Sequence, residues 1–369
     1  MSTGEQGGAD APETDVDAFA DRVFGSVLGA FETLSIHVGD RLGWYDVLTR
    51  EPCTAGELAA ATGTDARYAR EWLEQQAASG ILEASTETGP EASATRRFTL
   101  PPAHAEVLAD RHSLAYSAPL ARMFAAAARA IDPLLDAYRG GGGVSWAELG
   151  DDAREAQGDV NRPWFEHRLA PDLASVPWLH DLLSRPGARI ADVGCGHGWS
   201  SVALAHAYPE ARIDGHDVDV PSLESARDHA RESGVDDRVA FFRAGGEELA
   251  APGTYDVAFV FEALHDMPFP VDVLRSIREA LVPDGVVVVM DEAVGESFTA
   301  PADDVDRIMY GYSLFICLPD GRSTPGSVGT GTVMRQSTLE GYAHEAGFGR
   351  VEVLPIEGFA SFRFSALRR

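Results

Sequence analysis

The chain is 369 residues long, enough for two domains that each bury a substantial core. Its hydrophobic content of 45% is ordinary for a globular protein, and no apolar run approaches the roughly 18 residues that span a bilayer. The formal net charge is −28, and all 30 basic residues are arginine. Such a surface repels nucleic acid and anionic membranes, so we expect neither as a partner.

The cysteines and the N-terminus indicate a reducing compartment. Cys53, Cys195 and Cys317 are widely spaced, which favours neither a disulfide framework nor a metal motif. The first residues are polar and acidic and lack the basic start and apolar core of a signal peptide. We therefore expect a cytoplasmic location. The bias toward alanine, glycine and arginine fits a GC-rich genome, and the acidity alternatively fits a salt adaptation.

The N-terminal region 18–110 has the pattern of a winged helix-turn-helix domain. It follows an acidic tail, 1–17, that is poor in apolar residues and predicted to be disordered. Apolar spacing predicts one or two helices over 19–48, and the Thr54-Ala-Gly-Glu57 capping box starts a short helix to Ala61. The remaining predicted elements are a helix over 65–79 and strands at 80–83 and 97–100.

A helix-turn-helix pattern invites the hypothesis of DNA binding, but its charge argues against that function. Residues 1–110 hold 7 Arg and 19 Asp plus Glu. The second helix mixes Arg67 and Arg70 with Glu71 and Glu74. Because a protein that neutralises several phosphates needs a basic face, we expect no nucleic acid partner.

The middle of the chain, 111–184, is predicted to be a helical linker region. The residues 112–138 are predicted to form a long alanine-rich helical stretch, glycines at 140–143 predict a flexible break, and 145–183 is mixed helical. Aromatic side chains at such spacing are usually core residues. Trp164 and Phe165 are the alternative candidates for a wall of the ligand cavity.

From 185 to 369 the pattern alternates strands and helices, which indicates an α/β fold with a parallel sheet. The continuous apolar run 286–289 is typical of a central strand. Strands are predicted at 189–193, 211–216, 239–242, 256–261, 285–291, 350–355 and 359–366. Helices are predicted near 200–207, 221–233, 270–281, 302–316 and 336–346.

A glycine turn follows the first of these strands. Gly194, Gly196 and Gly198 occupy alternate positions, and glycine is favoured where the backbone needs positive φ or a ligand comes close. The helix that follows presents free N–H groups to such a ligand. Asp217 ends the next strand 19 residues after Gly198, where an acid binds ribose hydroxyls in nucleotide-binding units.

Asp192-Val-Gly-Cys-Gly-His-Gly198 with Gly215-His-Asp-Val-Asp219 resembles the class I S-adenosylmethionine (SAM) dependent methyltransferases. Later segments at 261–267, 291–292, 298–304 and 329–335 resemble a bacterial subfamily with an N-terminal winged-helix domain, related in layout to small-molecule O-methyltransferases. The resemblance runs from about Val23 to the C-terminus. It implies a Rossmann-like, seven-stranded methyltransferase domain over 185–369, SAM as cofactor and S-adenosylhomocysteine (SAH) as product. It also implies that the winged-helix domain mediates a homodimer and helps to cover a small-molecule acceptor.

The resemblance also implies which residues bind SAM. Asp192 would hold the ammonium, Asp217 the ribose and Val218 the adenine. Gly245 stands where the family often has an acid, so Gly246 N–H or Glu247 would recognise adenine instead. The full predicted set is Asp192, Gly194, Cys195, Gly196, Asp217, Val218, Gly245, Gly246, Phe261 and Glu262.

The catalytic candidates are His265, Asp266 and Glu292. His265-Asp266 resembles the pair of plant-type O-methyltransferases in which a neutral histidine is the general base, and Glu292 stands where that family orients the base. The alternatives are that His265 only lines the pocket and that Asp266 is a helix N-cap. Since the chain has no His-x-His or HExxH pattern, we expect no metal at these residues.

An acceptor pocket that is mostly apolar with a few polar anchors would suit a hydrophobic or aromatic substrate. The candidate lining residues are Trp164, Met309, Tyr310, Phe362 and Arg363. The sequence therefore predicts a SAM-dependent methyltransferase of a small molecule, at oxygen first and at nitrogen or carbon otherwise. The alternatives are a SAM-binding transcriptional regulator and an enzyme of this fold that catalyses a reaction other than methylation.

Overall fold

The computed structural model describes residues 15–86, 92–246, 249 and 251–369. Within it the chain forms two compact units that divide between Ala109 and Asp110. Disorder is predicted from the sequence for residues 1–17, of which residues 1–14 lie outside the described part of the chain. The prediction is wrong for residues 15–17, because α1 begins at Val16 and the Asp15 side chain caps its first turn. No described helix is long and apolar enough to cross a membrane.

The first unit is a small helical domain with a two-stranded wing. The predicted capping box is present, since the Thr54 side chain accepts from Glu57 N and the Glu57 side chain accepts from Thr54 N. Trp44, Tyr45 and Trp72 pack their rings together in its core. Its elements are α1 (Val16–Arg41), α2 (Trp44–Leu48), α3 (Ala55–Thr62), α4 (Ala66–Ala78), β1 (Glu83–Ala84), α5 (Ala92–Thr95), β2 (Phe98–Thr99) and α6 (Pro102–Leu108).

The second unit opens with helices that pack into the core of its sheet. The helical stretch predicted over 112–138 contains two helices, which begin at Ala118 and Ile131 and have Pro119 and Pro133 in their first turns. Leu169, Leu173 and Leu179 are buried with the sheet residues, so this region is not a separate linker. The helices are α7 (Ala118–Arg129), α8 (Ile131–Gly140), α9 (Trp146–Leu149), α10 (Asp151–Trp164), a π-helical turn (Phe165–Leu169), α11 (Ala170–Ala174) and α12 (Pro177–Leu183).

The sheet has seven strands in the order β5-β4-β3-β6-β7-β9-β8, which confirms the predicted Rossmann-like methyltransferase fold. Only β9 runs against its neighbours. Predicted strand 359–366 is shifted, because β9 begins at Phe362. The elements are β3 (Arg189–Val193), α13 (Trp199–Ala207), β4 (Arg212–Asp217), α14 (Val220–Glu232), β5 (Val239–Arg243), β6 (Tyr255–Phe261), α15 (Pro270–Ala280), β7 (Leu281–Glu292), α16 (Asp304–Tyr312), a π-helical turn (Ser313–Cys317), α17 (Leu318–Ser323), α18 (Gln336–Glu345), β8 (Arg350–Val353) and β9 (Phe362–Arg368).

Both faces of the sheet are buried, as the apolar run in β7 predicts. Alternate residues of β6 enter two different cores: Val257 and Phe259 lie on one face, and Ala258 and Val260 lie on the other. With the faces covered by helices, a ligand has access to the sheet at the carboxyl ends of its strands.

Candidate active site

The direction in which the chain adds strands reverses between β3 and β6. It runs outward from β3 through β4 to β5, and then returns to place β6 on the other side of β3. The connecting loops at such a reversal separate and leave a crevice, which is where ligands bind in open α/β sheets. The predicted site residues at the ends of β3, β4, β6 and β7 therefore share one edge.

The glycine turn after β3 has the positive φ angles that its sequence predicts. They are +77° at Gly194, +48° at Gly196 and +75° at Gly198. A Cβ on Gly194 would lie 2.6 Å from that of Ala263, and one on Gly198 would lie 2.8 Å from Phe241, so these two glycines are also required by packing. Gly196 instead faces open space, so a ligand can come close to the chain at this position.

Asp192 lies beneath this turn and is fully buried. Its Oδ2 accepts hydrogen bonds from the Ser200 hydroxyl at 2.6 Å and the Ser201 hydroxyl at 2.5 Å. Its Oδ1 has no hydrogen-bond partner among the described residues, and burial raises its pKa to about 6. An acceptor atom without a partner fits the predicted role of holding an ammonium group. The thiol of Cys195 is buried nearby, and burial raises its pKa well above the ordinary value.

Asp217 joins the end of β4 to the glycine turn. Its Oδ2 accepts from Gly196 N at 2.8 Å, and its Oδ1 accepts from Asp219 N at 2.8 Å. These bonds fix the carboxylate beside the glycine turn, and its contact with the ribose hydroxyls stays a prediction. The next residue, Val218, is 66% exposed, so its apolar side chain is available to pack against a flat ring.

The turn after β5 is less open than the sequence predicts. Gly246 is buried, and a Cβ there would lie 2.5 Å from Val273, so packing accounts for this glycine. Gly245 is half-buried beside it. The alternative adenine contact, Glu247, lies outside the described residues. Recognition of adenine at Gly245 and Gly246 stays a prediction.

Two predicted residues at the end of β6 face different ways. The Phe261 ring is buried against Phe165, with centroids 5.4 Å apart, so only its backbone can face a ligand. Glu262 has φ +51°, which is unusual for a residue with a side chain. Its Oε2 accepts from Asn161 Nδ2 at 2.5 Å, and burial raises its pKa to about 7.

Helix α10 touches three of the loops that form this edge. Arg154 donates to both carboxylate oxygens of Asp219 at 2.9 and 3.1 Å, and Asn161 donates to Glu262. Gly158 lies so close to His197 that a Cβ would be 2.7 Å from its ring. The Arg162 guanidinium stacks 4.1 Å from the centre of the Trp199 ring. These contacts place one face of α10 against the loops of the predicted SAM site, because positions 154, 158, 161 and 162 follow the i, i+4, i+7, i+8 spacing of a single helix face.

His265 is buried among carboxylates, with 2% of its surface exposed. Nδ1 donates to Asp291 Oδ1 at 2.8 Å and lies 3.2 Å from Glu292 Oε2. Nε2 lies 3.3 Å from Asp266 Oδ1, and the Asp266 side chain is 30% exposed. The structure therefore brings the three predicted catalytic residues together. It adds Asp291, which is closer to the ring than the predicted orienting residue Glu292.

The carboxylates around His265 act on its pKa against burial. Burial, the largest influence, lowers the pKa, but Asp266, Asp291 and Glu292 together hold it well above the ordinary value. Burial likewise raises the pKa of Glu292 well above its usual range. The role of His265 as a neutral general base stays a prediction.

Three ligand atoms of His265, Asp291 and Glu292 lie within 4.8 Å of one another. That spacing would suit a divalent cation, but Nδ1 of His265 already donates to Asp291. We assign no metal to these residues.

The predicted acceptor residues do not form one group. Phe362 and Arg363 pair with Glu292 and Asp291 across β9 and β7. Arg363 then donates to Val294 O at 3.2 Å.

The other three predicted acceptor residues lie in different surroundings. Trp164 packs on Phe359 with centroids 5.6 Å apart, and Met309 is buried in α16. Tyr310 is 39% exposed, and its hydroxyl accepts from Arg335 at 3.2 Å, so it is bound to a surface loop.

Sequence reasoning missed three contributions to the site. Asn161 reaches Glu262 from a helix about 100 residues earlier, and no local pattern marks it. Cys317 places its sulfur within 4.8 Å of His265 and Asp266, through the π-helical turn that follows α16. Asp291 could have been found, since it shares the carboxyl end of β7 with Glu292.

Comparison with known sequence families gives two matches that agree with this geometry. Residues 190–285 match a family described as a methyltransferase domain. Residues 30–110 match a family described as an Rv2258c-like winged helix-turn-helix domain. The chain thus carries a SAM-dependent methyltransferase domain preceded by a winged helix-turn-helix domain.

Individual relatives point to the same class. The 27-O-demethylrifamycin SV methyltransferase of Amycolatopsis mediterranei is 33% identical over 125 residues, which are 34% of this chain and 46% of that protein. The ubiquinone biosynthesis O-methyltransferase of Bordetella pertussis is 39% identical over 113 residues, 30% of this chain and 45% of the other. The chain thus matches just under half the length of these relatives.

Solved structures resemble almost the whole chain. The mitomycin 7-O-methyltransferase MmcR has a TM-score of 0.70 at 24% identity, over 97% of this chain and 100% of the other. Human N-acetylserotonin methyltransferase, solved in complex with SAM, has a TM-score of 0.69 at 16% identity, over 97% and 99% of the two chains. At such identities the likeness establishes the fold.

Proposed function

We propose that the protein transfers a methyl group from SAM to an oxygen atom of a small, hydrophobic or aromatic acceptor. The observation that carries this proposal is the bond between Gly196 N and Asp217 Oδ2, which joins the open glycine turn to the ribose-binding acid at the reversal of the sheet. The unpartnered Oδ1 of Asp192 supports an ammonium site beneath the turn. O-methylation is also what the names of the rifamycin, ubiquinone and mitomycin enzymes state of those proteins.

The protein's own residues would position the reactants. SAM supplies a methyl group on a sulfonium, which an oxygen nucleophile attacks in line. Gly196 and Asp217 would fix the cofactor, and holding both reactants in line supplies several kcal/mol of the barrier reduction. Burial of this region by α10 would keep water away from the reacting atoms.

The acceptor hydroxyl must lose its proton as the bond to carbon forms. We propose that Asp266 takes this proton, because it is the partly exposed carboxylate of the group and lies 3.3 Å from His265 Nε2. His265 would then not accept the proton itself. Its ring would stabilise the negative charge of Asp266, which does. Asp291 and Glu292 would hold the ring from the other side.

Calorimetry with SAM tests the cofactor. We expect binding by the wild type and a large loss of affinity in Asp217→Ala, because the ribose contact and the Gly196 bond both disappear. Release of SAH with a panel of phenols and alcohols then tests the reaction. No SAM binding, or unchanged binding by Asp217→Ala, would remove the proposal; SAM binding without SAH formation from the true acceptor would favour a reaction other than methylation.

We also propose that the protein is a homodimer formed through α1. Phe24, Leu28 and Phe31 lie on one face of this helix and are 63%, 48% and 64% exposed. Exposed apolar faces of this kind normally pack against another surface, and a second copy of α1 offers the same apolar face.

We do not propose the alternative function of a SAM-binding transcriptional regulator that binds DNA through the winged helix. In the first unit Arg67 pairs with Glu71, Arg96 lies 3.6 Å from Glu74, and Arg97 lies 2.7 Å from Glu57. Arginines that are already paired with carboxylates contribute little to binding phosphates.

A further inference from the structure

The two nitrogen atoms of His265 have different surroundings. Nδ1 donates to Asp291 Oδ1 at 2.8 Å, which in a neutral ring leaves the lone pair on Nε2. Nε2 lies 3.3 Å from Asp266 Oδ1, and the sulfur of Cys317 lies within 4.8 Å of ligand atoms of both residues. A nitrogen, an oxygen and a sulfur from three side chains therefore meet on the side of the ring that faces away from Asp291.

The spacing and the chemistry of these three atoms suit Zn²⁺. This ion binds imidazole nitrogen and carboxylate oxygen at about 2.0 to 2.2 Å and thiolate sulfur at about 2.3 Å, usually as a tetrahedron. Two ligand atoms about 2.05 Å from a tetrahedral centre lie about 3.3 Å apart. The distance between His265 Nε2 and Asp266 Oδ1 has this value. A sulfur ligand beside an imidazole also favours Zn²⁺ over Mg²⁺ or Ca²⁺, which prefer oxygen.

Two neighbouring side chains support the ligands from behind. A histidine that ligates a metal through one nitrogen normally donates its other N–H to a carboxylate, as His265 does to Asp291. Burial, the largest influence, raises the pKa of the Cys317 thiol, whereas the adjacent Thr332 hydroxyl lowers it. Thr332 is 1% exposed, and its Oγ1 has no hydrogen-bond partner of ordinary geometry among the described residues. This hydroxyl is therefore placed to donate to a metal-bound thiolate.

The backbone that carries the ligands is tightly packed. Gly331 N donates to His265 O at 3.1 Å. A Cβ on Gly331 would lie 2.5 Å from Ser313 Oγ, in the π-helical turn that follows α16. A Cβ on Gly321 would lie 3.1 Å from Asp266 O. These close contacts hold the loop after β6 and the π-helical turn together, so the ligand atoms need little rearrangement to bind an ion.

We propose that His265 Nε2, a carboxylate oxygen of Asp266 and Cys317 Sγ bind one Zn²⁺, with water as the fourth ligand. Cys317 ligates as a thiolate, and its proton passes to the solvent together with any proton on Nε2. The ion enters from the side of Asp266, whose side chain is 30% exposed. The sequence has no His-x-His or HExxH pattern here because the third ligand comes from a distant segment.

The bound ion inhibits methyl transfer, and this effect alone rests on the proposed function. It occupies Asp266, the carboxylate to which that function assigns the proton of the acceptor. The predicted SAM contacts at Gly196 and Asp217 involve none of the three ligands. Zn²⁺ therefore competes with the acceptor and leaves the affinity for SAM unchanged.

Equilibrium dialysis of the full chain with Zn²⁺, and absorption spectra with Co²⁺ in its place, test the metal site. We expect one tightly bound ion and a thiolate-to-Co²⁺ charge-transfer band, which surface carboxylates do not produce. Cys317→Ser should lose the band, and Asp266→Asn should lose tight binding, so misfolding of one variant leaves the other informative. Thr332→Val should keep the band and bind about tenfold or more weakly. Cys53→Ser, at a buried cysteine of the first unit, is the control and should match the wild type.

Release of SAH with and without Zn²⁺ tests the inhibition. We expect Zn²⁺ to lower the turnover of the wild type, EDTA to restore it, and Cys317→Ser to keep a larger fraction of its own zinc-free rate. Absence of the band in the wild type, or its persistence in Cys317→Ser, would overturn the metal site and leave the proposed function standing. Failure to bind SAM would overturn the proposed function, while dialysis and the Co²⁺ spectrum would still decide the metal site.

Discussion

Replacing Glu262 by glutamine should remove a pH dependence from the stability of the ligand-free protein. Burial, the largest influence, raises the pKa of Glu262 to about 7, while the hydrogen bond from Asn161 and the charge of His265 lower it and the charge of Asp291 raises it. Glu292 and Tyr312 are the further titratable groups acting with Glu262. Glutamine keeps the shape of the side chain and an oxygen that can accept from Asn161.

The sign follows from which state holds the proton. The unfolded chain loses the Glu262 proton near the ordinary value of 4.5, and the folded protein keeps it until about pH 7. The folded state thus binds more protons between these values, so the contribution of Glu262 is fully present below pH 4.5 and is lost as the pH rises to 7. A shift of this size corresponds to roughly 3 kcal/mol as an upper limit, at about 1.4 kcal/mol per pKa unit.

Urea denaturation of the wild type and Glu262→Gln at pH 5 and pH 8 measures the effect. We expect the free energy of unfolding of the wild type, relative to the variant, to fall by roughly 2 to 3 kcal/mol between these pH values. Titration of all other groups largely cancels in this difference. Glu232→Gln, on an exposed part of α14, is the control and should show no such change. If the free energies of unfolding of the wild type and the variant differ by the same amount at both pH values, Glu262 does not have a raised pKa in the folded protein.

Three further predictions concern catalysis, assembly and the acceptor. His265→Asn should retain SAM affinity and lose about 100- to 10,000-fold in turnover measured by SAH release, whereas the exposed control His206→Asn should be normal; full turnover would exclude His265 from proton transfer. The double variant Phe24→Glu with Phe31→Glu should sediment as a monomer at concentrations where the wild type is a dimer, and an unchanged mass would exclude α1 as the interface. Among matched phenols that bear a carboxylate, carboxamide or aminomethyl group, the carboxylate should have the lowest kcat/KM, because Asp266, Asp291 and Glu292 surround His265. A preference for the carboxylate would contradict an acceptor site beside these residues.

The fold of the sheet is predictable because its signals are local. Apolar runs such as that in β7 and the glycines after β3 mark strands and turns by themselves, and the predicted strands lie close to the observed ones. The predicted ends of elements are wrong where contacts with residues distant in the sequence determine them. The start of β9 at Phe362 is fixed by its pairing with Glu292, and the helices before the sheet are fixed by burial of Leu169 and Leu173 in a core made by other elements.

The site is predictable to the extent that each residue ends a strand. Asp192, Asp217 and Glu262 could be placed by that rule, since parallel strands bring their carboxyl ends to one edge. The raised pKa of His265 could not be predicted, because it depends on three carboxylates from two segments that meet only in the folded protein. The contact of Tyr310 with Arg335 could not be predicted for the same reason, since the two residues lie 25 positions apart.

The contacts of α10 extend this argument from single residues to an element. Arg154, Gly158, Asn161 and Arg162 look unremarkable in the sequence, yet each contacts a different residue beside the predicted SAM site. Their partners lie between about 40 and 100 residues away, so helical periodicity predicts that these positions share a face but not what that face touches. The face carries two cations and an amide, and it meets the carboxylates of Asp219 and Glu262. Charge complementarity along α10 therefore stabilises the positions of the loops beside the glycine turn and beside Asp217, the predicted ribose ligand.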